Sequence, residues 1–324
     1  MRYIQYGGPA PSDLCVAETT APVLRAGTVR VKVAASGVNR ADTLQRQGRY
    51  PAPPGESDIL GLEVSGVVTE VADDVGQWRA GDRVCGLVAG GGYAEEVIVN
   101  AHHLLGVPDN ISLVDAAGLA EVFLTAYQCL KTIAGIERGQ RVLIHAGASG
   151  VGLAALQLCR FFGVEAATTA SSDDKLAQCR QAGAVLTVNY RQNDFAQVLN
   201  EQWPDGVDMV LDMVGGDYLN RNLSVLKRDG HIVCLAMLAG RYADKLDMAL
   251  LLGKRAKIEG STLRNRSDDY KTQLVSAFHR DCYSAFASGE LSVNVDTVYD
   301  AADAATAHQR LEDNQTCGKL LLRW

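Results

Sequence analysis

Most function classes can be set aside by absences alone. No apolar stretch approaches the ~20 residues of a membrane span, and the opening MRYIQYGGPAPSDLCV has neither a basic region before an apolar run nor an Arg/Ser-rich amphipathic leader. A soluble, cytoplasmic protein with no membrane partner is therefore expected. Lys and Arg number 31 against 38 Asp and Glu, a formal net charge of -7, so there is no basic footprint for nucleic acid. The cysteines stand tens of residues apart with no C-x-x-C pair and no histidine at zinc spacing. Several lie in apolar runs such as LQLCRFF and HIVCLAML, the setting of buried, reduced thiols. No repeat of fixed period occurs, which removes solenoids and propellers. No Ser-His-Asp arrangement follows from the spacing, and His145, at the end of an apolar strand, reads as a packed imidazole.

What is present is enough apolar residue, 47% of 324, to build two domains. The first third carries short β-patterned runs separated by glycine, among them TVRVKVAAS, LEVSGVVTEV, GDRVCGLV and AEEVIV. From about residue 113 the period lengthens to helical spacing through VFLTAYQCLKTIAGI, and strand and helix then alternate: RVLIH, EAATTA, VLTVN, VDMVLD and GHIVCLAML are the strands. Such alternation predicts a doubly wound parallel sheet covered by helices on both faces. A tail of helix, strand, helix and strand follows; too short for a core of its own, it is expected to fold back on the first domain. The fold class is thus α/β, a Rossmann domain plus a mostly β domain.

The strongest chemical signal is RVLIHAGASGVGLAALQL, in which a buried strand runs through small residues directly into a helix. Backbone N–H groups at a helix start can then approach a pyrophosphate unobstructed. Gly147 and Gly152 occupy the first and third glycine positions of the dinucleotide fingerprint, while Ser149, beside Gly150 and Val151, replaces the second. DMVGGD places Gly215 at the C-terminal end of another buried strand, where ligands of open parallel sheets lie.

The motifs AASGVNRADTLQRQGRYPAPPGESDILGLEVSGVV, GDRVCGLVAGGGYAEEVIV, HAGASGVG, NYRQNDF and DMVGG occur in one order along nearly the whole chain. In them the sequence resembles the zinc-free quinone oxidoreductase group, zeta-crystallin-like, of the medium-chain dehydrogenase/reductase superfamily. NRADTLQRQGRYPAPPG is especially similar to the tumour-suppressor-inducible branch of that group. The resemblance implies a GroES-like catalytic domain over 1–121 and 265–324, a Rossmann domain over 122–264, an active site in the cleft, and a homodimer joined through Rossmann sheet edges. HIVCLAML is the candidate edge strand. Zinc alcohol dehydrogenases place a cysteine and a histidine at the positions held here by Asn39 and Leu62, and carry a four-cysteine lobe that this chain lacks. An acceptor that takes hydride readily, a quinone, is therefore expected in place of an alcohol. Reduction of an activated double bond (enone, enal or enoyl thioester) is the alternative, and a non-catalytic dinucleotide-binding redox sensor or structural protein the third reading.

Tyr50, Asn39 and Asp42 stand in the segment that the resemblance places beside the substrate, where Tyr50 and Asn39 could donate to a carbonyl oxygen. Asn39 and Asp42 read equally as caps of the helix ADTLQRQ. Arg264 and Arg266 read either as a solvated turn or as a ligand contact. For the cofactor, EAATTASSDDK ends without the acidic residue that NAD sites use for the ribose; Ser171, Ser172, Lys175 and Tyr190 are instead suited to the 2'-phosphate of NADPH. The competing account has Ser172 merely capping the helix that follows.

Overall fold

The computed structural model describes residues 1–324. Its N-terminal segment holds β1 (Arg2–Tyr6), β2 (Leu14–Glu18), β3 (Thr28–Val38), α1 (Arg40–Arg46), β4 (Glu63–Val71), β5 (Arg83–Leu87), β6 (Glu96–Asn100), β7 (Leu104–Gly106), α2 (Leu113–Ala116) and α3 (Ala120–Tyr127). In β3 the alternation of TVRVK sets Val29, Val31 and Val33 inward, as one-sided burial of a pleated strand requires.

The middle of the chain supplies β8 (Arg141–Ile144), α4 (Gly150–Phe162), β9 (Glu165–Ala170), α5 (Asp173–Ala182), β10 (Ala184–Asn189), α6 (Phe195–Gln202), β11 (Val207–Asp212), α7 (Tyr218–Val225), β12 (Leu226–Cys234), α8 (Met248–Lys254) and β13 (Lys257–Gly260). The sheet order is β10-β9-β8-β11-β12-β13, with every pairing parallel. The order reverses beside β8, so the loop leaving β8 opens at the switch point where such sheets bind ligands. Helices α4 and α5 pack together, while α6, α7 and α8 form a second contiguous group.

The tail adds α9 (Asp268–Ser288), β14 (Val295–Asp300), α10 (Ala304–Glu312) and β15 (Lys319–Arg323). Strand β15 pairs antiparallel with β3, Leu320 opposite Val38, so the tail completes the N-terminal sheet in the order β14-β15-β3-β4-β5-β7, with β6 also on β3. The chain accordingly divides into two compact units, Met1–Leu124 with Leu263–Trp324, and Thr125–Thr262.

Two local expectations are corrected. HIVCLAML is not the sheet edge: β12 is paired on both sides, by β11 and β13, and ends at Cys234. The edge is the short polar KIEG of β13, all four residues exposed, which fits the rule that edges are kept short and charged. Helix α7 runs directly into β12, with Leu226 and Lys227 already in the strand. VFLTAYQCLKTIAGI is not one regular helix, because Gln128–Ile133 forms a π-helical turn in which the buried Gln128 donates from Nε2 to Ser261 Oγ at 2.7 Å. None of the eight cysteines forms a disulfide; Cys15 is exposed and five are buried. No helix is long and apolar enough to cross a membrane.

Candidate functional site

In the first unit the substrate candidates lie around a buried ion pair. Glu63, at the head of β4, takes Lys319 Nζ of β15 at 2.6 Å, and the two side chains are 0% and 4% exposed. The carboxylate also accepts Asn39 Nδ2 at 3.0 Å and the Glu121 backbone N–H at 2.9 Å. Lys319 spends its other donors on Val38 O and Asn39 Oδ1. Position 37 has to be glycine for this carboxylate to fit, since a Cβ there would come within 2.2 Å of Glu63 Oε1. Asn39 is thus bonded at both ends of its amide, to Glu63 and to Lys319.

Asp42 does not face a substrate. It is 0% exposed, and its carboxylate accepts the Asn39 N–H at 2.8 Å, the Gly61 N–H at 3.0 Å and the Tyr93 hydroxyl at 3.3 Å. The cap and the anchoring of the Gly61 turn engage both carboxylate oxygens, and none of the side chain is accessible. Burial pushes its acid up to about 6, against the pull of its backbone N–H donors. Behind it, Tyr93 meets His308 Nε2 at 3.0 Å, and His308 Nδ1 meets Arg46 Nη1 at 2.9 Å. Arg46 can only donate, so the network assigns the His308 proton to Nε2. Burial, helped by Arg46, lowers this imidazole to about 3, and it is neutral.

Tyr50 is half-buried, and the Arg264 guanidinium stands 5.5 Å from its ring centroid. Burial first, then the Glu121 charge, raises its phenol above the ordinary value, so it remains an O–H donor. Arg264 is 6% exposed, not a solvated turn: Nε donates to Ala89 O at 2.7 Å, and Nη2 is buried with no partner. Sequence reasoning missed Glu121. Burial and the neighbouring Glu63 carboxylate push its acid up to about 8. The signal was available, since Glu121 is the one charged residue between Asp115 and Lys131.

In the second unit Ser149 caps α4, its Oγ accepting the Gly152 N–H at 3.0 Å, while Leu153 N–H bonds to Ser149 O. The helix therefore leaves the N–H groups of Gly150 and Val151 for an anion. A Cβ at Gly147 would stand 1.9 Å from Thr168 Oγ1, and one at Gly152 2.5 Å from Ala146 O; the loop packs this closely on β9 only because both are glycine. His145 is wholly buried between Thr169 Oγ1 and Asn222 Oδ1, a packed imidazole. Gly215 donates its N–H to Asp212 Oδ1 at 2.9 Å and has a φ of 67.

Strands β9 and β10 run side by side to Ala170 and Asn189, so Ser171 and Tyr190 emerge as neighbours, with Tyr190 N–H on Ala170 O. Ser172 caps α5 through the Lys175 N–H, as the competing account supposed; its own hydroxyl hydrogen is not used by that cap. These residues fit a dinucleotide phosphate: two helix N–H groups at the loop, and two hydroxyls, a phenol and an ammonium at the ends of the next strands.

Two family profiles match the chain: the alcohol dehydrogenase GroES-like domain over residues 25–109 and the zinc-binding dehydrogenase over residues 150–280. This is the domain pair of an oxidoreductase. Quinone oxidoreductase-like protein 2 of Bos taurus is 31% identical over 95% of this chain and 88% of its own length. The synaptic vesicle membrane protein VAT-1 homolog of Danio rerio is 29% identical over 93% of this chain, which spans 65% of that relative's length. Among solved structures, the Escherichia coli quinone oxidoreductase complexed with NADPH superposes with a TM-score of 0.87 at 30% identity, covering 100% and 99% of the two chains. CurK enoyl reductase superposes with a TM-score of 0.88 at 25% identity, covering 99% and 98%. The chain belongs to the medium-chain dehydrogenase/reductase superfamily, in its quinone oxidoreductase-like group.

The Asp42 geometry gives a first test. Asp42→Asn replaces one acceptor oxygen by an amide donor facing N–H and O–H groups, so it is expected to lower stability at pH 7 by about 1–3 kcal/mol, the range for an unsatisfied buried polar group. A carboxyl whose folded pKa lies near 6, above its ordinary 3.8, gives stability that is complete below the lower value and lost as pH rises through the upper one. Asn lacks that dependence. Urea unfolding from pH 4 to 7 should show the wild type losing this increment and the variant not; equal stability throughout would remove Asp42 from the fold's anchors.

Proposed function

We propose that this protein is a zinc-independent, NADPH-dependent quinone reductase whose middle unit carries the cofactor and whose N-terminal unit, with the tail, carries the acceptor. The observation that carries the reading is the donor set that replaces a metal site: Asn39 is bonded to Glu63 and Lys319, and Leu62 is a buried apolar side chain. Neither supplies a ligand, and no group of three or more His, Cys, Asp or Glu is placed to hold a metal ion. NADPH supplies a hydride. Gly150 and Val151 hold its pyrophosphate on the start of α4, with Gly147, Ser149 and Gly152 shaping the loop and Gly215 the neighbouring wall. Ser171, Ser172, Lys175 and Tyr190 take the 2'-phosphate. The Tyr50 hydroxyl donates to the acceptor carbonyl as it gains charge, Asn39 shapes the wall beside it, and Asp42 acts from behind by fixing the turn at Gly61.

Reduction of an activated double bond is a second reading, favoured by the likeness to CurK enoyl reductase. NADPH oxidation with 1,2-naphthoquinone, menadione and crotonyl-CoA separates them. Quinone turnover that survives prolonged chelation is expected; turnover of the thioester alone would move the assignment to enoyl reduction, and activity lost with one zinc per chain would end the metal-free reading.

For the cofactor, Lys175→Ala should weaken NADPH binding by roughly 1–3 kcal/mol, the range for a hydrogen bond to a charged group, and leave NADH binding almost unchanged. Calorimetric dissociation constants for both cofactors decide it, and equal losses would remove the phosphate assignment.

The middle unit also exposes Met237, Leu238, Tyr242, Met248, Leu252 and Ile258, the last on the edge strand β13. A homodimer through that edge covers them. Sedimentation velocity should give a dimer that Ile258→Lys dissociates; a monomeric wild type at micromolar concentration excludes it.

A further inference from the structure

We propose that Glu121 is the proton donor of the reaction and that the unpaired Nη2 of Arg264 holds the acceptor oxygen that receives the proton; this rests on the reductase reading above. Both side chains line one groove of the N-terminal unit, about 450 Å³ in volume, whose lining also includes the apolar Leu62, Leu87, Ala89 and Leu263. In that wall Arg264 is fixed by Nε on Ala89 O, and its Nη2 is buried without a partner. A buried unpaired guanidinium N–H is costly unless a ligand oxygen meets it. Tyr50, beneath the guanidinium at 5.5 Å, feels the Glu121 charge. The phenol, the guanidinium and the carboxyl therefore belong to one locale.

The groups facing Glu121 explain why it keeps a proton. Glu63 on β4 accepts the backbone N–H of Glu121 itself, and with Asp42 on α1 it opposes a second negative charge; Lys319 on β15 and Arg264 oppose them. The start of α3 would favour the ionised form. Burial and Glu63 win, and the acid rises to about 8. Glu121 is then a carboxylic acid at neutral pH, poised as a general acid should be.

The step balances without a further reagent. The acceptor takes a hydride from NADPH and becomes an anion whose charge sits on oxygen against Arg264. The O–H bond of Glu121 breaks, an O–H bond forms on the acceptor (a C–H bond at the α-carbon if the acceptor is an enone), and the carboxylate left behind is reprotonated from solvent.

The test is the pH profile of kcat for wild type and Glu121→Gln, an isosteric amide that cannot deliver the proton. Wild type should hold a plateau and lose activity above about pH 8. The variant should be roughly 100-fold slower, the scale of one lost general acid, and flat across that range, with NADPH affinity unchanged. Glu121→Asp should keep the alkaline limb. An alkaline limb that persists in Glu121→Gln, or an unchanged kcat, overturns the proposal. Infrared difference spectra between pH 6 and 10, wild type against Glu121→Gln, read the same carboxyl without turnover. A wild type that reduces nothing yet shows the titrating carboxyl sinks the reductase reading and the catalytic step with it, whereas no carboxyl titrating near 8 sinks the proton-holding site itself.

Discussion

The Glu63–Lys319 ion pair is the constraint on which the N-terminal unit turns. It joins the head of β4 to the first residue of the last strand, and both side chains are nearly inaccessible. A buried pair of this kind contributes little net stability, but removing one partner costs about 3–5 kcal/mol because the other charge is left alone. What it fixes is geometry. Asn39 bridges its two ends, the start of α3 hangs from Glu63 through the Glu121 N–H, and Gly37 is the only residue type that leaves room for the carboxylate. Segments at both ends of the chain are thereby held to one point, and Tyr50, Glu121 and Arg264 stand around it.

The second unit uses a hydrogen-bonded network without a salt bridge for the same purpose. His145 Nε2 bonds Asn222 Oδ1, Asn222 Nδ2 bonds Asp212 Oδ2, and Asp212 Oδ1 accepts the N–H groups of Val214 and Gly215. Burial lowers the imidazole, so it stays uncharged, accepting from Thr169 at Nδ1 and donating from Nε2. The end of β8, where the dinucleotide loop begins, is thus tied through α7 to the glycine turn at the end of β11. Both turns are set by buried side chains behind them.

The doubly wound sheet was legible in the sequence because its strands are short apolar runs between helical periods, and a parallel sheet buried on both faces has to look that way. The dinucleotide loop was legible because close packing of backbone on backbone admits only glycine at 147 and 152. The edge strand was not: apolarity marks burial, and the most apolar strand was buried by one more strand, the polar KIEG that period and propensity pass over. The π-helical turn at Gln128–Ile133 leaves the apolar spacing nearly unchanged, so no pattern announces it. Among site residues, Asp42 and Tyr50 looked alike as polar residues of one segment; only burial separates a carboxylate consumed by three donors from a phenol that meets none. Glu121 was visible as a lone charge in an apolar stretch, but what makes it an acid is its burial together with Glu63, far away in sequence.

On the proposed reading, that dependence is what lets the site work without a Lewis acid. Two carboxyls, Glu63 and Glu121, share one neighbourhood, and like charges so placed do not both ionise readily. Lys319 is committed to Glu63 by contact, and burial together with the Glu63 charge leaves the proton on Glu121. Had Arg264 formed a salt bridge with Glu121, the carboxyl would be held ionised and the guanidinium spent. Instead Arg264 is anchored on a backbone carbonyl, and its free N–H remains in the groove wall. A cation that is not neutralised and an acid that is not ionised can then face one acceptor oxygen together, the first stabilising the charge that forms there and the second removing it.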